Sequence, residues 1–295
     1  MAINRKSLFI VLLCYVIWGL MPAYWNLLAG VDSLIVLCSR ILFSFIFMLC
    51  VLIASGRIHV LRETLKDKTK MRYLVPASLF ISVNWGLYIW AVQNDRVLDG
   101  SLGYYMNPLI AFVLGVLLFR EKTTKLQLAA VVLAFTGVLI SVIAYGSFPF
   151  VAVCLALSFA AYGALKKKAQ ADPVAGVAVE SMLIALPALV FPFAFMPDSV
   201  AVVDTVKLLL LIGGGVLTAL PLALFARSVI YMPFITVAFF QYISPSLMLI
   251  YGLLRGESLS VPQLVSFIFV GLGLVVFSIA LVMKNKRPVD STDNA

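Results

Sequence analysis

Residues 107–140 read NPLIAFVLGVLLFREKTTKLQLAAVVLAFTGVLI, and residues 244–276 read SPSLMLIYGLLRGESLSVPQLVSFIFVGLGLVV. Set side by side, Pro108 falls on Pro245, Gly115 on Gly252 and, after a one-residue gap, Glu121 on Glu257. Gln127 and Gln263 each follow six residues later, and Gly137 and Gly273 ten residues after those. One or two such matches are common in apolar sequence. Five in order, one of them charged, mark an internal repeat. Fainter matches extend it upstream: Trp18-Gly19 with Tyr162-Gly163, and Trp90-Ala91 with Phe225-Ala226. The unit is about 137 residues and divides the chain into a first repeat, 1–145, and a second, 146–295, ending in a short basic tail.

Each unit is largely hydrocarbon. Of 295 residues, 63% are apolar and 12% charged, against roughly 45–50% and about 25% in a soluble domain. A water-facing shell cannot be built from that composition, whereas a lipid-facing one can. A bilayer core of about 30 Å takes roughly 20 apolar residues per helix. Ten runs qualify: 7–28, 34–54, 73–93, 100–119 and 126–145, then 148–165, 174–195, 206–229, 233–254 and 260–283. The fold class is therefore all-α and integral to the membrane, with ten transmembrane helices. The first run has no A-x-A cleavage pattern and reads as a helix rather than a signal peptide.

Ten crossings return the chain to the side it started from, and the basic residues sort accordingly. Seventeen of the 22 Lys and Arg fall on one side: Arg5, Lys6, Arg57, Arg62, Lys66, Lys68, Lys70, Arg72, Arg120, Lys122, Lys125, Lys166, Lys167, Lys168, Lys284, Lys286 and Arg287. The other side keeps Arg96, Lys207 and Arg255 beside Asp32, Asp95, Asp99, Asp198 and Asp204. The positive-inside rule then puts both termini in the cytoplasm. The net charge of +9 marks loops, not a nucleic-acid surface. The basic 57–72 loop is expected to contact lipid headgroups.

Five spans per repeat is an odd number, so the second repeat enters the membrane from the opposite side. Inverted repeats of this kind build secondary transporters, whose two opposed halves support outward- and inward-open states.

Several segments resemble one family across both halves: Asn84-Trp85 with Ile89-Trp90-Ala91-Val92, SLGYYMNPL at 101–109, LALSFAAYGALKKK at 155–168, GVLTALPLALF at 215–225 and FFQYISP at 239–245. The chain resembles the EamA-like branch of the drug/metabolite transporter superfamily, within it the RarD (chloramphenicol-sensitive protein) family. The resemblance implies ten helices in two EamA repeats, a bacterial inner-membrane location and export of metabolites or drugs. The family's second span usually carries His-Arg and then Trp-Ser, where this chain has Ser39-Arg40 and Phe43-Ser44.

Charge inside a membrane is costly, about 2.5–3.5 kcal/mol at a helix centre, so Arg40 in the second span and Glu180 in the seventh are candidate substrate-binding residues. Inversion sets them about 12 Å apart along the membrane normal. They read as two stations on one pathway, Arg40 for an anionic group and Glu180 for a cation or proton; the alternative is an ion pair locking the two spans. Spans three, four, eight and nine, which the resemblance places around a central cavity, add Asn84, Trp85, Tyr88, Tyr104, Asn107, Gln241, Tyr242 and Ser244. Asn107 and Ser244 precede the paired prolines, and a helical proline releases a backbone carbonyl. Glu121 and Glu257, matched at the exits of spans four and nine, are candidate gates, with interfacial anchoring as the alternative.

No cofactor or metal is expected. Cys14, Cys38, Cys50 and Cys154 form no CxxC pair, lie in apolar runs and read as buried small hydrophobes; His59 stands alone. The 213–215 glycine run lacks a Walker lysine and suits close helix packing. The expected partners are a small-molecule substrate, H+ or Na+ as coupling ion, and membrane lipids, in a monomer or homodimer. A channel is the nearest alternative. A lipid-modifying enzyme would need a catalytic cluster that these residues do not supply.

Overall fold

Lipid offers no hydrogen bonds, so a membrane-spanning backbone must satisfy itself within helices or a closed barrel. The computed structural model describes residues 4–93, 97–256 and 260–286, and every regular element among them is helical. The helices are α1 (Arg5–Trp25, continued by a 3-10 turn, Asn26–Leu28), α2 (Ser33–Ala54), α3 (Ile58–Lys66), α4 (Lys68–Gln93), α5 (Val97–Phe119), α6 (Lys125–Tyr145) and α7 (Phe150–Ala169). They continue as α8 (Pro173–Phe195), α9 (Pro197–Ala201), α10 (Thr205–Tyr231), α11 (Phe234–Phe240), α12 (Ile243–Leu254) and α13 (Val261–Lys286).

Nine described segments are long and apolar enough to cross a bilayer, α11 and α12 together counting as one. The expected third span is α4, whose 26 residues give about 39 Å of helix; its apolar run is interrupted by Asn84. The short helices α3 and α9 lie between spans. α3 turns Leu61 and Thr64 inward and Arg62, Glu63 and Lys66 outward.

Side-chain caps set the helix starts. Asp32, Asp172 and Asp204 accept amide N–H groups at the heads of α2, α8 and α10. The repeated glutamines do the same work twice. Thr124 and Gln127 form a capping box at α6, and the Gln263 amide oxygen accepts from Ser260 N at 2.9 Å at the head of α13.

The main packings join the two halves. α2 lies against α8 and α10, α1 against α10 and α12, α7 against α4 and α5, α5 against α11, and α6 against α13. Exchange α1 with α7, α2 with α8, α4 with α10, α5 with α11–α12 and α6 with α13, and this set maps onto itself except that α2 against α10 falls on a smaller contact, α8 against α4. The repeated glycines obey the same exchange. A Cβ on Gly137 would stand 2.7 Å from the Ser266 carbonyl, and one on Gly273 would stand 2.8 Å from that of Ala130; Ala130 and Ser266 are themselves matched positions. The 213–215 glycines admit Tyr24, Trp25 and Phe43, so close packing is their use. The outer face carries apolar stripes at helical spacing, such as Leu128, Val132, Phe135, Leu139 and Ile143 on α6. Stripes of this extent suit lipid and not water.

Candidate functional site: a polar cavity, a stacked arginine and two ion pairs

The ninth span is not one helix. Pro245 has no N–H to give to the Gln241 carbonyl, and the chain kinks there: Gln241 N reaches Ala238 O at 3.2 Å and Tyr242 N reaches Phe239 O at 3.3 Å, 3-10 fashion. The released Gln241 carbonyl is not left free, because Ser244 N donates to it at 3.1 Å. The break turns the Gln241 side chain into the bundle, where its amide has no hydrogen-bond partner among the described residues. α5, carrying the matched Pro108, continues unbroken.

Gln241 borders two adjoining cavities of about 250 and 190 Å³. Asn84, Gly103, Tyr104, Asn107, Leu155 and Phe159 line the first; Tyr15, Asn107, Phe159, Phe225, Phe234 and Gln241 stand around the second. Most of that space lies in gaps between side chains, and neither cavity has room for more than about one water, so the bundle is in a closed conformation. Asn84 Nδ2 donates to Leu155 O at 2.9 Å and Ser158 Oγ at 3.0 Å.

The residues before the two prolines have equivalent tasks. Asn107 Nδ2 donates to Ala156 O of α7 at 2.8 Å, and Ser244 Oγ donates to Tyr15 O of α1 at 2.7 Å. Each ties its span to the first helix of the other half. Ser244 is spent on that tie, but Asn107 is not: its Oδ1 is buried and unpartnered at the cavity wall. Tyr242 lies elsewhere. Its hydroxyl donates to Tyr105 O at 3.2 Å inside a separate core cluster with Phe239 and Phe277, away from the cavity it was expected to line. As successive residues, about 100° apart around the helix, Gln241 and Tyr242 face different sides.

Arg40 sits between two indoles. Its Cζ is 4.8 Å from the Trp25 ring centroid and 5.2 Å from that of Trp85. Nε donates to Thr218 Oγ1 at 2.9 Å, and Thr218 in turn donates to Gly214 O at 2.8 Å. Tyr88 and Tyr104, ring centroids 5.8 Å apart, stand close enough to interact electrostatically with the guanidinium. Among the described residues Arg40 has no ion-pair partner. The family's His-Arg/Trp-Ser difference falls beside it: Phe43 packs on Gly215, and Ser44 Oγ donates to Gly215 O at 3.0 Å.

Arg40 and Glu180 do not meet, so α2 and α8 are not locked by their charges. Glu180 is instead paired within its own half. Oε1 accepts from Lys166 Nζ at 2.8 Å and Oε2 from Tyr162 Oη at 3.1 Å, with both charged side chains at most 5% exposed. Lys166 therefore corrects the loop assignment: it belongs to the last turn of α7 and points into the bundle. A carboxylate so satisfied is a helix–helix tie, not an open cation station.

Lys167 turns the other way. Nζ donates to Met232 O at 2.6 Å and pairs with Glu121 at 3.2 Å. Glu121 also accepts from Phe234 N at 2.6 Å and Ile235 N at 2.9 Å, the unsatisfied first amides of α11. The carboxylate thus fastens the end of α5 to the head of α11. Its matched residue, Glu257, lies outside the described residues, as do Asp95 and Arg96. Arg57 is likewise engaged, 2.6 Å from Asp172 at the head of α8. Cys14 and Cys38 are buried, but Cys50 faces outward on α2.

Sequence reasoning missed Lys166, Lys167, Thr218 and Trp25. For the lysines a signal existed, since Lys166 and Glu180 flank one short loop at the same membrane face. For Thr218 and Trp25 none did, because their role depends on which helices are neighbours.

A model of the EamA-like transporter family matches residues 5–143 and again 147–279. An uncharacterized transporter of Bacillus subtilis, YojE, is 38% identical over 286 residues, covering 95% of each chain. Protein RarD of Escherichia coli is 33% identical over 288 residues, 96% of this chain and 97% of that one. An uncharacterized transporter of Vibrio cholerae is 35% identical over 280 residues, 93% and 92% of the two chains. A solved crystal structure superposes with a TM-score of 0.75 over 96% of this chain and 99% of its own, at 13% identity, a likeness of fold alone.

Proposed function

The chain belongs to the EamA-like transporter family, and from that membership we propose that it is a secondary carrier that exports small organic solutes across the bacterial inner membrane by alternating access. Its termini are cytoplasmic, and a gradient of H+ or Na+ drives the cycle. The residues around the cavity are the substrate site: Asn84, Tyr104, Asn107 and Gln241 there, with Arg40, Trp85 and Tyr88 beside it. Glu121 is the cytoplasmic gate, closed when it holds Lys167 and the head of α11 together.

One observation carries this reading. Asn107 is the matched partner of Ser244 and makes the matched tie, yet it keeps a buried carbonyl oxygen free at a closed cavity between the halves. A polar atom buried without a partner is costly to fold, and a solute that enters the cavity supplies the missing donor. The two-fold exchange of helix packings supports alternation, since most packings of one half have a counterpart, though not an equal one, in the other.

The test is solute counterflow. Purified protein is screened by thermal shift against a metabolite library, then reconstituted with the stabilising compound. A carrier gives saturable counterflow, and Asn107→Ala reduces it at least tenfold. Ohmic current with no counterflow identifies a channel instead and sinks the carrier reading.

A further inference from the structure

Arg40 is a guanidinium within a membrane-spanning helix that has been given no counter-charge. Of its five N–H donors, one is taken by a neutral hydroxyl, Thr218 Oγ1. The four on the terminal nitrogens have no acceptor among the described residues. Buried or membrane-embedded charges are normally paired, and the other internal charge obeys: Glu180 has both oxygens occupied. The indoles of Trp25 and Trp85 hold the Arg40 plane without using its edge, since cation–π contact engages the face. What remains is a fork of hydrogen-bond donors held between two rings and one hydroxyl. Tyr88 and Tyr104, packed on each other, lie nearby.

We propose that this fork is the anchor for a carboxylate, and that the transported solute is a small monocarboxylic acid bearing an aromatic or apolar body and a hydrogen-bond donor. The inference rests on the carrier reading above and names its substrate class. A carboxylate matches the guanidinium edge in two parallel N–H···O bonds and leaves the site neutral. A phosphate monoester carries about −1.5 to −2 charge at pH 7 and leaves a net negative charge in the bilayer. The aromatic walls fit a planar or apolar body. The donor follows from Asn107: Tyr104 borders both Arg40 and the cavity, Asn107 is three residues on along the same face of α5, and its free Oδ1 takes an N–H or O–H.

The experiment is a thermal-shift titration of purified protein with matched acid and amide pairs: phenylacetate and phenylacetamide, mandelate and mandelamide, indole-3-acetate and indole-3-acetamide. Each acid is expected to bind at least tenfold more tightly than its amide, and mandelate more tightly than phenylacetate because its hydroxyl reaches Asn107. Arg40→Gln abolishes the acid preference; Arg40→Lys, which keeps charge but loses the fork, weakens it about tenfold. Thr218→Val removes the Nε acceptor, along with the bond within α10 to Gly214 O, and retains the preference, separating ligand anchoring from helix tying. Equal binding of acids and amides by the unaltered protein, no stabilisation by any acid, or an acid preference that survives Arg40→Gln each overturns the proposal. The unaltered-protein comparison needs no variant to fold, and saturable counterflow of a neutral compound would leave the carrier reading standing while this one falls.

Discussion

Lys166 and Glu180 show how a single residue changes meaning once its partner is known. An unpaired carboxylate in a span reads as a site, whereas a carboxylate 2.8 Å from an ammonium with a tyrosine hydroxyl on its second oxygen reads as a bond between α7 and α8. Removing one member of a buried pair strands the other charge, a loss of about 3–5 kcal/mol, while replacing both by apolar residues of similar volume is near neutral. Lys166→Met and Glu180→Gln are each expected to lower unfolding stability in detergent by about that much. The double substitution Lys166→Met/Glu180→Leu recovers most of it. A double variant as unstable as the sum of the singles would show that the pair is not one unit. Arg40 stands opposite in kind: it is held by stacking and one hydroxyl, so its charge stays available.

Helix ends and crossings repeat across the two halves, and predictions about them come in pairs. Gly137 and Gly273 each face a backbone carbonyl within 2.8 Å of an added Cβ, and overpacking typically costs about 1–3 kcal/mol. Gly137→Ala and Gly273→Ala should therefore destabilise α6–α13 packing by similar amounts, read as matched falls in melting temperature. At the head of α11, Glu121 supplies a charged cap to two amides and a lysine together. Glu121→Gln leaves a neutral amide with one acceptor oxygen, so deuterium exchange at Phe234 and Ile235 should quicken; unchanged exchange would remove the case for Glu121 as the gate. At the head of α4, Asp67 accepts from Lys70 N and Thr69 N, and the Lys70 amide bond above all holds its carboxyl below the usual value. A depressed folded value stabilises above the unfolded one and is lost as pH falls through the folded one. Protection of the Thr69 and Lys70 amides should drop on acidification in the native protein but be pH-flat in Asp67→Ala.

At the scale of the molecule, neither half has its own core. Each of the largest packings pairs a helix of one repeat with a helix of the other, so each half alone leaves its polar ties open, among them Asn107 to Ala156 and Ser244 to Tyr15. Cutting the chain in the short link between α6 and α7 tests this. The two pieces, co-expressed, should co-purify as a folded complex, and either expressed alone should be degraded. Stable accumulation of one piece by itself would show that the halves fold independently.

Much of the architecture was legible in the residues. The apolar runs located every described span; Gly137, Gly273, Gln127 and Gln263 marked the repeat, and the structure makes the glycines a close crossing and the glutamines caps. The site was legible only in part. Asn84, Tyr104, Asn107 and Gln241 stand around one cavity, while Tyr242 and Ser244 are absorbed into packing and Glu180 into an ion pair.

The division has a physical cause. Composition, helix length and repeat spacing are properties of contiguous sequence, because lipid forces each span to close its backbone bonds locally. The all-helical membrane class follows from those alone, and the family from resemblance in segments such as 101–109 and 239–245. Which buried charge finds a partner depends instead on side chains far apart in the chain: Lys166 with Glu180, Glu121 with the head of α11, Trp25 and Thr218 with Arg40. Gln241 meets the cavity and Tyr242 a core cluster, and only the packed bundle decided which of two adjacent residues did which.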